Sequence, residues 1–178
     1  NCSVPMIFNG VVPEENLVGI DLEDKSVPVM TKYMMPCLIL TYGAAYLGIA
    51  SGAFEIACTE GDKRFPSGAR WLDSQINQRP MADISPPKEA ARALLHAAAA
   101  MADSGKAESF LPLLQAKVVC SEAAVRVTTD LMTMFGGTAF SGRLPFERYF
   151  RDARAGLVMG LANDVAYGTI GTLLFPGS

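Results

Sequence analysis

The chain has little of what metal and disulfide sites require. Its 178 residues include a single histidine and four cysteines, and Cys2, Cys37, Cys58 and Cys120 lie far apart without forming a Cys-x-x-Cys pair. Structural zinc needs a cluster of nitrogen or sulfur ligands, and disulfide-rich domains need closely spaced cysteines. The sequence therefore argues against both kinds of site and predicts reduced cysteines in a cytoplasmic protein.

Long runs of one charge sign are also missing. The net charge is −3, and no basic stretch stands out. Nucleic acids and anionic membrane surfaces attract clustered lysine and arginine, so neither is an expected partner. Hydrophobic residues make up 50% of the chain and charge is spread along it, which is typical of a globular domain rather than a disordered segment.

Residues 34–54 contain no charged residue, and such a stretch is about long enough to span a bilayer. Its apolar character is interrupted by Pro36, Thr41, Tyr42, Tyr46 and Ser51. The spacing Gly48-x-x-x-Gly52 suits close helix packing, although it also occurs in membrane helix dimers. We expect a buried helix of a soluble bundle, with no membrane partner.

The first residues differ in character from the rest. Residues 4–12 are rich in β-branched and aromatic side chains and contain Asn9-Gly10, a pair that is prone to form turns. They predict the end of a β-structure, and the pattern changes from β-like to helical after residue 16. We therefore divide the chain into residues 1–16, which include the end of a β-domain, and residues 17–178, a helical domain.

Hydrophobic periodicity predicts helices over residues 27–59, 71–102, 110–134, 145–158 and 163–174. Pro80, Pro86 and Pro87 interrupt the second of these. Because an interior proline costs about 3 kcal/mol, we expect a kink or two shorter helices there, with 88–101 as the clearest part. Short loops between long amphipathic helices predict an all-α, antiparallel up-down bundle with a short N-terminal β remnant.

Individual side chains in these helices are predicted as well. In the third helix, Lys117, Glu122 and Arg126 are expected to face outward. Asn163 is expected to be the N-cap of the last helix, because asparagine favours that position.

A glycine pair followed by a charged helix is the most informative pattern. Residues 135–140 read Phe-Gly-Gly-Thr-Ala-Phe, and residues 145–154 read Pro-Phe-Glu-Arg-Tyr-Phe-Arg-Asp-Ala-Arg. This resembles the C-terminal signature of the acyl-CoA dehydrogenase superfamily, in which the glycine turn reaches the FAD of a neighbouring subunit. The resemblance implies that superfamily's C-terminal helical bundle, with residues 13–16 as the linker from its β-domain. It also implies a homodimer or homotetramer and a small-molecule or acyl-thioester substrate.

The resemblance also implies cofactor-binding residues, with FAD as the cofactor and FMN as the alternative. The segment 64–68 with a later glutamine resembles a family loop that binds the pyrophosphate and adenosine of FAD, although Ser67 stands where an aromatic residue is usual. Thr133 likewise stands where a glutamine is common, and Ala139 where a glycine is. A plain exposed loop and a plain helix end are the structural alternatives. The predicted cofactor-binding residues are Arg64, Ser67, Gly68, Gln75, Thr133, Gly136 and Gly137.

The family's catalytic base is missing from this sequence. The position that matches the usual glutamate holds Gly160, and the alternative position in the first long helix holds Leu38. Without a carboxylate at either place, the resemblance points to relatives that use reduced flavin and oxygen, as monooxygenases do, and the catalytic residues stay unknown. The alternatives are an acyl-CoA dehydrogenase acting on CH–CH bonds with an unrecognised base, and a non-catalytic assembly bundle.

Overall fold

The computed structural model describes residues 5–16, 33–104 and 110–177. The chain forms two compact units, Asn1–Met35 and Pro36–Ser178, which are considered separately. Within the first unit a short 3-10 turn lies at Glu14–Asn16, and the second unit is helical, with a 3-10 turn at Trp71–Asp73. The helices are α1 (Met35–Asp62), α2 (Gln75–Asp103), α3 (Phe110–Phe135), α4 (Gly137–Phe140), α5 (Phe146–Ala155) and α6 (Asn163–Leu174).

The predicted all-α fold class is confirmed. Within the described ranges no strand is present, and the pairing of Arg64 with Arg70 is an isolated bridge. The β remnant predicted at residues 4–12 falls partly outside these ranges. A β-strand is recognised by its pairing with a second strand, and no such pairing is described for residues 5–12. Both the remnant and the domain boundary after residue 16 therefore stay predictions.

Helices α1, α2 and α3 build the core. On α1, Ala50, Ala53 and Ala57 are completely buried, and their spacing of three and four residues places them on one helix face. By length and composition, Met35–Asp62 could also cross a membrane. In the bundle, its face of small residues is covered by the rest of the core.

Close approach of α1 to α3 depends on a glycine. A Cβ atom at Gly43 would lie 3.5 Å from the Cα of Lys117 and 3.0 Å from Cδ1 of Leu95. The missing side chain therefore allows the two helix backbones to approach each other closely at this crossing. The contact places Tyr42, the neighbour of Gly43, close to the middle of α3.

Helix α2 is continuous from Gln75 to Asp103 although it contains Pro80, Pro86 and Pro87. The predicted alternative of two shorter helices is therefore wrong. Ile84 and Ala91 on this helix are fully buried. Burial of this face against the core offsets the backbone hydrogen bonds that the prolines cannot make.

The predicted positions of Lys117 and Asn163 are wrong, for one shared reason. Lys117 is fully buried rather than outward, whereas Glu122 and Arg126 are exposed as predicted. Asn163 is the first residue of α6 and Ala162 is its N-cap. The two side chains bond to each other, with 2.7 Å between Lys117 Nζ and Asn163 Oδ1, so Asn163 is engaged with α3 instead of capping its own helix.

Candidate functional site

The predicted arginine loop is a small closed turn between α1 and α2. Arg64 donates from Nη1 to the carbonyl oxygen of Gly68 at 2.7 Å, and Gly68 has a φ of +86°, a backbone conformation that favours glycine. Arg70 closes the base of the loop by bonding Asp62 at 2.6 Å and Asp73 at 2.8 Å. Hydrogen bonds from Arg70 hold the pKa of Asp73 below its usual value. The loop is thus held in shape, with Arg64 and Ser67 exposed.

The predicted glycine turn lies between α3 and α4. Gly136 has a φ of +53°, and the amide of Gly136 donates to the carbonyl of Met132 at 3.0 Å. This backbone conformation accounts for glycine at position 136. A Cβ at Gly137 would meet no atom within 4 Å, so contacts within the chain do not require glycine there. The open space beside Gly137 leaves room for a bound group to approach the backbone.

The arginine loop and the glycine turn lie at the same end of the bundle. Trp71 follows the loop directly, and its ring stacks on Phe135 with centroids 4.8 Å apart. Phe135 immediately precedes Gly136 and also packs against Phe146, at 4.6 Å between ring centroids. The stacked rings connect the two segments. The cofactor roles of the residues in them, including the exposed Gln75 and Thr133, stay predictions.

The charged helix α5 carries a surface ion pair and a cation–π contact. Arg151 Nε lies 2.7 Å from Glu147 Oε2, one turn away, and the guanidinium of Arg148 lies 5.5 Å from the centre of the Tyr149 ring. An exposed ion pair of this kind is screened by solvent and contributes little to stability. These contacts lie on the surface of the helix and do not form an acid–base pair.

Gly160 has no room for a side chain. Its φ is +77°, and a Cβ atom there would lie 2.8 Å from Cδ2 of Tyr42 on α1. Gly156, four residues earlier, is equally confined, because its Cβ would lie 2.9 Å from Cδ1 of Tyr46. The turn between α5 and α6 therefore rests on two tyrosines whose ring centroids are 6.3 Å apart. Neither backbone nor space at position 160 suits a glutamate.

The side chain of Lys117 forms hydrogen bonds to that same turn. Its Nζ donates to the carbonyl oxygens of Gly156 at 3.0 Å and Leu161 at 2.6 Å, in addition to Asn163 Oδ1. An ammonium group has three N–H donors, and each of them has an acceptor here. No carboxylate contacts Lys117 within the described residues. Burial lowers the pKa of Lys117.

Ser121 completes this buried cluster. Asn163 Nδ2 donates to Ser121 Oγ at 3.1 Å, and Ser121 Oγ donates to the carbonyl of Val118 at 2.8 Å. The spacing of Lys117 along α3 indicates that it is buried, and the sequence-based prediction of an outward side chain overlooked this. Lys117 lies four residues after the buried Leu113 and four before the buried Ser121, so it belongs to the apolar face of α3.

Comparison with known proteins extends these findings. Residues 40–174 match the family model described as "Acyl-CoA dehydrogenase, C-terminal domain". Over 123 residues the chain is 37% identical to cyclohexane-1-carbonyl-CoA dehydrogenase of Geobacter metallireducens, covering 69% of this chain and 32% of that protein. Over 118 residues it is 37% identical to 3-sulfinopropanoyl-CoA desulfinase of Cupriavidus necator, covering 66% of this chain and 29% of that protein.

A solved structure agrees with these relatives. The structure of butyryl-CoA dehydrogenase from Megasphaera elsdenii superimposes with a TM-score of 0.77 at 28% identity, covering 85% of this chain and 39% of that one. The chain spans about a third of the length of the curated relatives it matches. Because the family model matches most of the sequence, the chain belongs to the acyl-CoA dehydrogenase superfamily, and residues 40–174 form its C-terminal domain.

Proposed function

We propose that this protein is an FAD-dependent enzyme that binds acyl thioesters but does not begin its reaction with a glutamate base. The observation that carries the proposal is the confinement of Gly160 by Tyr42. Removing a proton next to a thioester carbonyl needs a base within hydrogen-bond reach of that proton. Gly160 and Leu38, the two positions predicted for such a base, hold no ionisable group.

FAD is the proposed cofactor rather than FMN. A guanidinium offers a fixed fork of donors to phosphate oxygens, and Arg64 is exposed in a loop held in shape by its own hydrogen bonds. FMN lacks the adenosine and pyrophosphate that this loop is proposed to bind. FAD would supply the electron-accepting ring, and residues of this chain would bind its adenosine and pyrophosphate.

A homodimer or homotetramer is part of the same proposal. The arginine loop and the glycine turn expose their predicted ligands to solvent. These exposed segments suit contact with the cofactor of a second copy. Closed symmetry makes such contacts reciprocal, so each subunit would complete the site of its neighbour.

The relatives support acyl-CoA chemistry of more than one kind. One is named as a dehydrogenase of cyclohexane-1-carbonyl-CoA and another as a desulfinase of 3-sulfinopropanoyl-CoA. The second name describes loss of a sulfinate group, which is not a dehydrogenation. One relative is therefore named for a reaction on an acyl thioester other than dehydrogenation, and we propose that this protein also acts on acyl thioesters in another way.

A flavin-dependent monooxygenase is the second candidate. The absence of a carboxylate at positions 160 and 38 favours it, because a reaction of reduced flavin with oxygen does not require proton removal from a saturated acyl chain. A dehydrogenase with a base elsewhere in the protein and a non-catalytic assembly bundle are the remaining alternatives.

Spectroscopy of the purified full-length protein separates these candidates. Visible flavin absorbance would exclude the assembly bundle, and a colourless protein that cannot be reconstituted with FAD would overturn the proposal. The flavin is then offered acyl-CoA in one cuvette and a flavin reductase with NADH in another. Acyl-CoA is then added to the second cuvette under air, and oxygen consumption that increases on this addition would favour the monooxygenase.

A further inference from the structure

Tyr42 fills the space into which a side chain at position 160 would project. Besides the 2.8 Å contact with Cδ2, a Cβ at Gly160 would lie 3.2 Å from both Cε2 and Cγ of the same ring. Leu38 precedes Tyr42 by one helical turn, so the two residues share a face of α1. The phenol side chain therefore lies beside position 160 and on the same helix face as position 38, the two positions at which the family resemblance places an acid.

Within the described part of the chain, the hydroxyl of Tyr42 has no hydrogen-bond partner, so it is available to a ligand. Tyr42 is half-buried, and its ring packs on Tyr46 and beneath Gly160. Among the residues the structure describes, nothing forms a hydrogen bond with this hydroxyl. A phenol can donate a hydrogen bond, whereas an ionised carboxylate can only accept one. The replacement thus changes the kind of group that this site can bind.

The buried ammonium group of Lys117 contacts the same turn. Lys117 is fully buried, its three acceptors are neutral oxygens, and its Cα lies 3.5 Å from the Cβ position of Gly43, the neighbour of Tyr42. Residues 35–54 and 155–162 carry no charge. Charges inside a protein are screened less than charges on its surface, so the ammonium favours an anion near the turn.

We infer that the hydroxyl of Tyr42, with the charge of Lys117 behind it, selects acyl thioesters whose acyl chain carries an anionic acid group. A glutamate at position 160 would repel such a group, whereas the phenol donates a hydrogen bond to it. The inference rests on the proposed function, namely that this site binds acyl thioesters. It goes further by naming the class of acyl chain and the residue that recognises it.

The test compares two ligands of similar shape and different charge. Succinyl-CoA carries a carboxylate, and 4-methylpentanoyl-CoA carries an isopropyl group in its place. Binding to the flavin-loaded full-length protein is measured by titration calorimetry, for the natural protein and for Tyr42→Phe, which keeps the ring beneath Gly160. Tyr167→Phe is the matched control, because it removes an equivalent hydroxyl from an exposed residue of α6 that bonds Glu122.

In Tyr42→Phe, the dissociation constant of succinyl-CoA should rise about tenfold, as expected for loss of one charge-assisted hydrogen bond. The constant for 4-methylpentanoyl-CoA should change less than about twofold, and Tyr167→Phe should change neither. Equal weakening of both ligands, or no weakening of succinyl-CoA, would overturn the role of Tyr42 while leaving the proposed function intact. Failure of the natural protein to bind any acyl-CoA would overturn both.

Discussion

Replacing Lys117 by methionine should destabilise the protein strongly, although no ion pair is lost. Methionine keeps most of the length of the side chain and removes the ammonium group. The carbonyls of Gly156 and Leu161 and the amide oxygen of Asn163 would then lose the donor that now lies 2.6–3.0 Å away. All three acceptors belong to the turn that carries Gly160 or to the start of α6.

The size of the effect follows from these three acceptors. A buried acceptor left without a donor costs about 1–3 kcal/mol, so three of them cost about 3–9 kcal/mol before any relief. The variant also avoids burying an ammonium, a penalty of several kcal/mol. Taking the middle of that range, about 6 kcal/mol, less a penalty of about 3 kcal/mol, we expect the free energy of unfolding to fall by about 3 kcal/mol.

Urea unfolding followed by far-ultraviolet circular dichroism measures this loss. Lys63→Met is the matched control, because the side chain of Lys63 is 64% exposed and pairs with Glu60 on the surface. Such a pair contributes about 0–1 kcal/mol. If Lys117→Met lost no more stability than Lys63→Met, the three buried hydrogen bonds would not hold the turn, and the reasoning would be refuted.

The same pair of proteins has a defined pH dependence. Burial lowers the pKa of Lys117 in the folded state, so the unfolded chain binds more protons between that lowered pKa and the ordinary value of about 10.4. The stability of the natural protein should therefore rise relative to Lys117→Met as the pH increases through that window. A difference between the two proteins that stays constant or shrinks with increasing pH would contradict the burial of a protonated lysine.

Three further predictions concern the site. Gly160→Ala should lower the free energy of unfolding by about 2 kcal/mol or more, because Gly160 has a positive φ and a Cβ there would contact Tyr42. Gly48→Ala is the control, since a Cβ at Gly48 on α1 meets open space, and it should stabilise the helix by about 0.5–1 kcal/mol. Equal effects of the two substitutions on the unfolding midpoint would refute the confinement of position 160. Arg64→Ala should weaken FAD binding roughly ten- to hundredfold in an equilibrium titration, and the exposed Arg79→Ala should not; an unchanged dissociation constant would make Arg64 an ordinary loop residue. Sedimentation should show a dimer or tetramer at micromolar concentration, and a flavin-saturated monomer would contradict the proposed sharing of cofactor sites.

Local pattern was sufficient to predict most of the helices. Predicted residues 163–174 coincide with α6, and predicted residues 110–134 differ from α3 by one residue. Both segments have a clear apolar face and end at residues that favour termination. The continuity of α2 could not be predicted in this way, because burial against neighbouring helices outweighs the local cost of its prolines.

The features that define the candidate site depend on contacts between distant segments. Lys117 bonds residues 39 to 46 positions further along the chain, and no local pattern indicates that acceptors lie there. Tyr42 and Gly160 meet only because α1 packs beneath the turn between α5 and α6. The sequence showed that a carboxylate was missing at position 160, whereas the structure shows what occupies its place.

The central claim is that the protein, with its proposed FAD bound, does not oxidise saturated acyl chains by means of a glutamate base. Anaerobic stopped-flow absorbance tests it directly, by mixing the flavin-loaded full-length protein with a panel of saturated acyl-CoAs, with dithionite as the control for a reducible flavin. General-base catalysis supplies about two to four orders of magnitude in rate, so we expect the flavin to stay oxidised over many seconds while dithionite bleaches it. Rapid bleaching by any saturated acyl-CoA would show that a base acts from another position and would contradict the account.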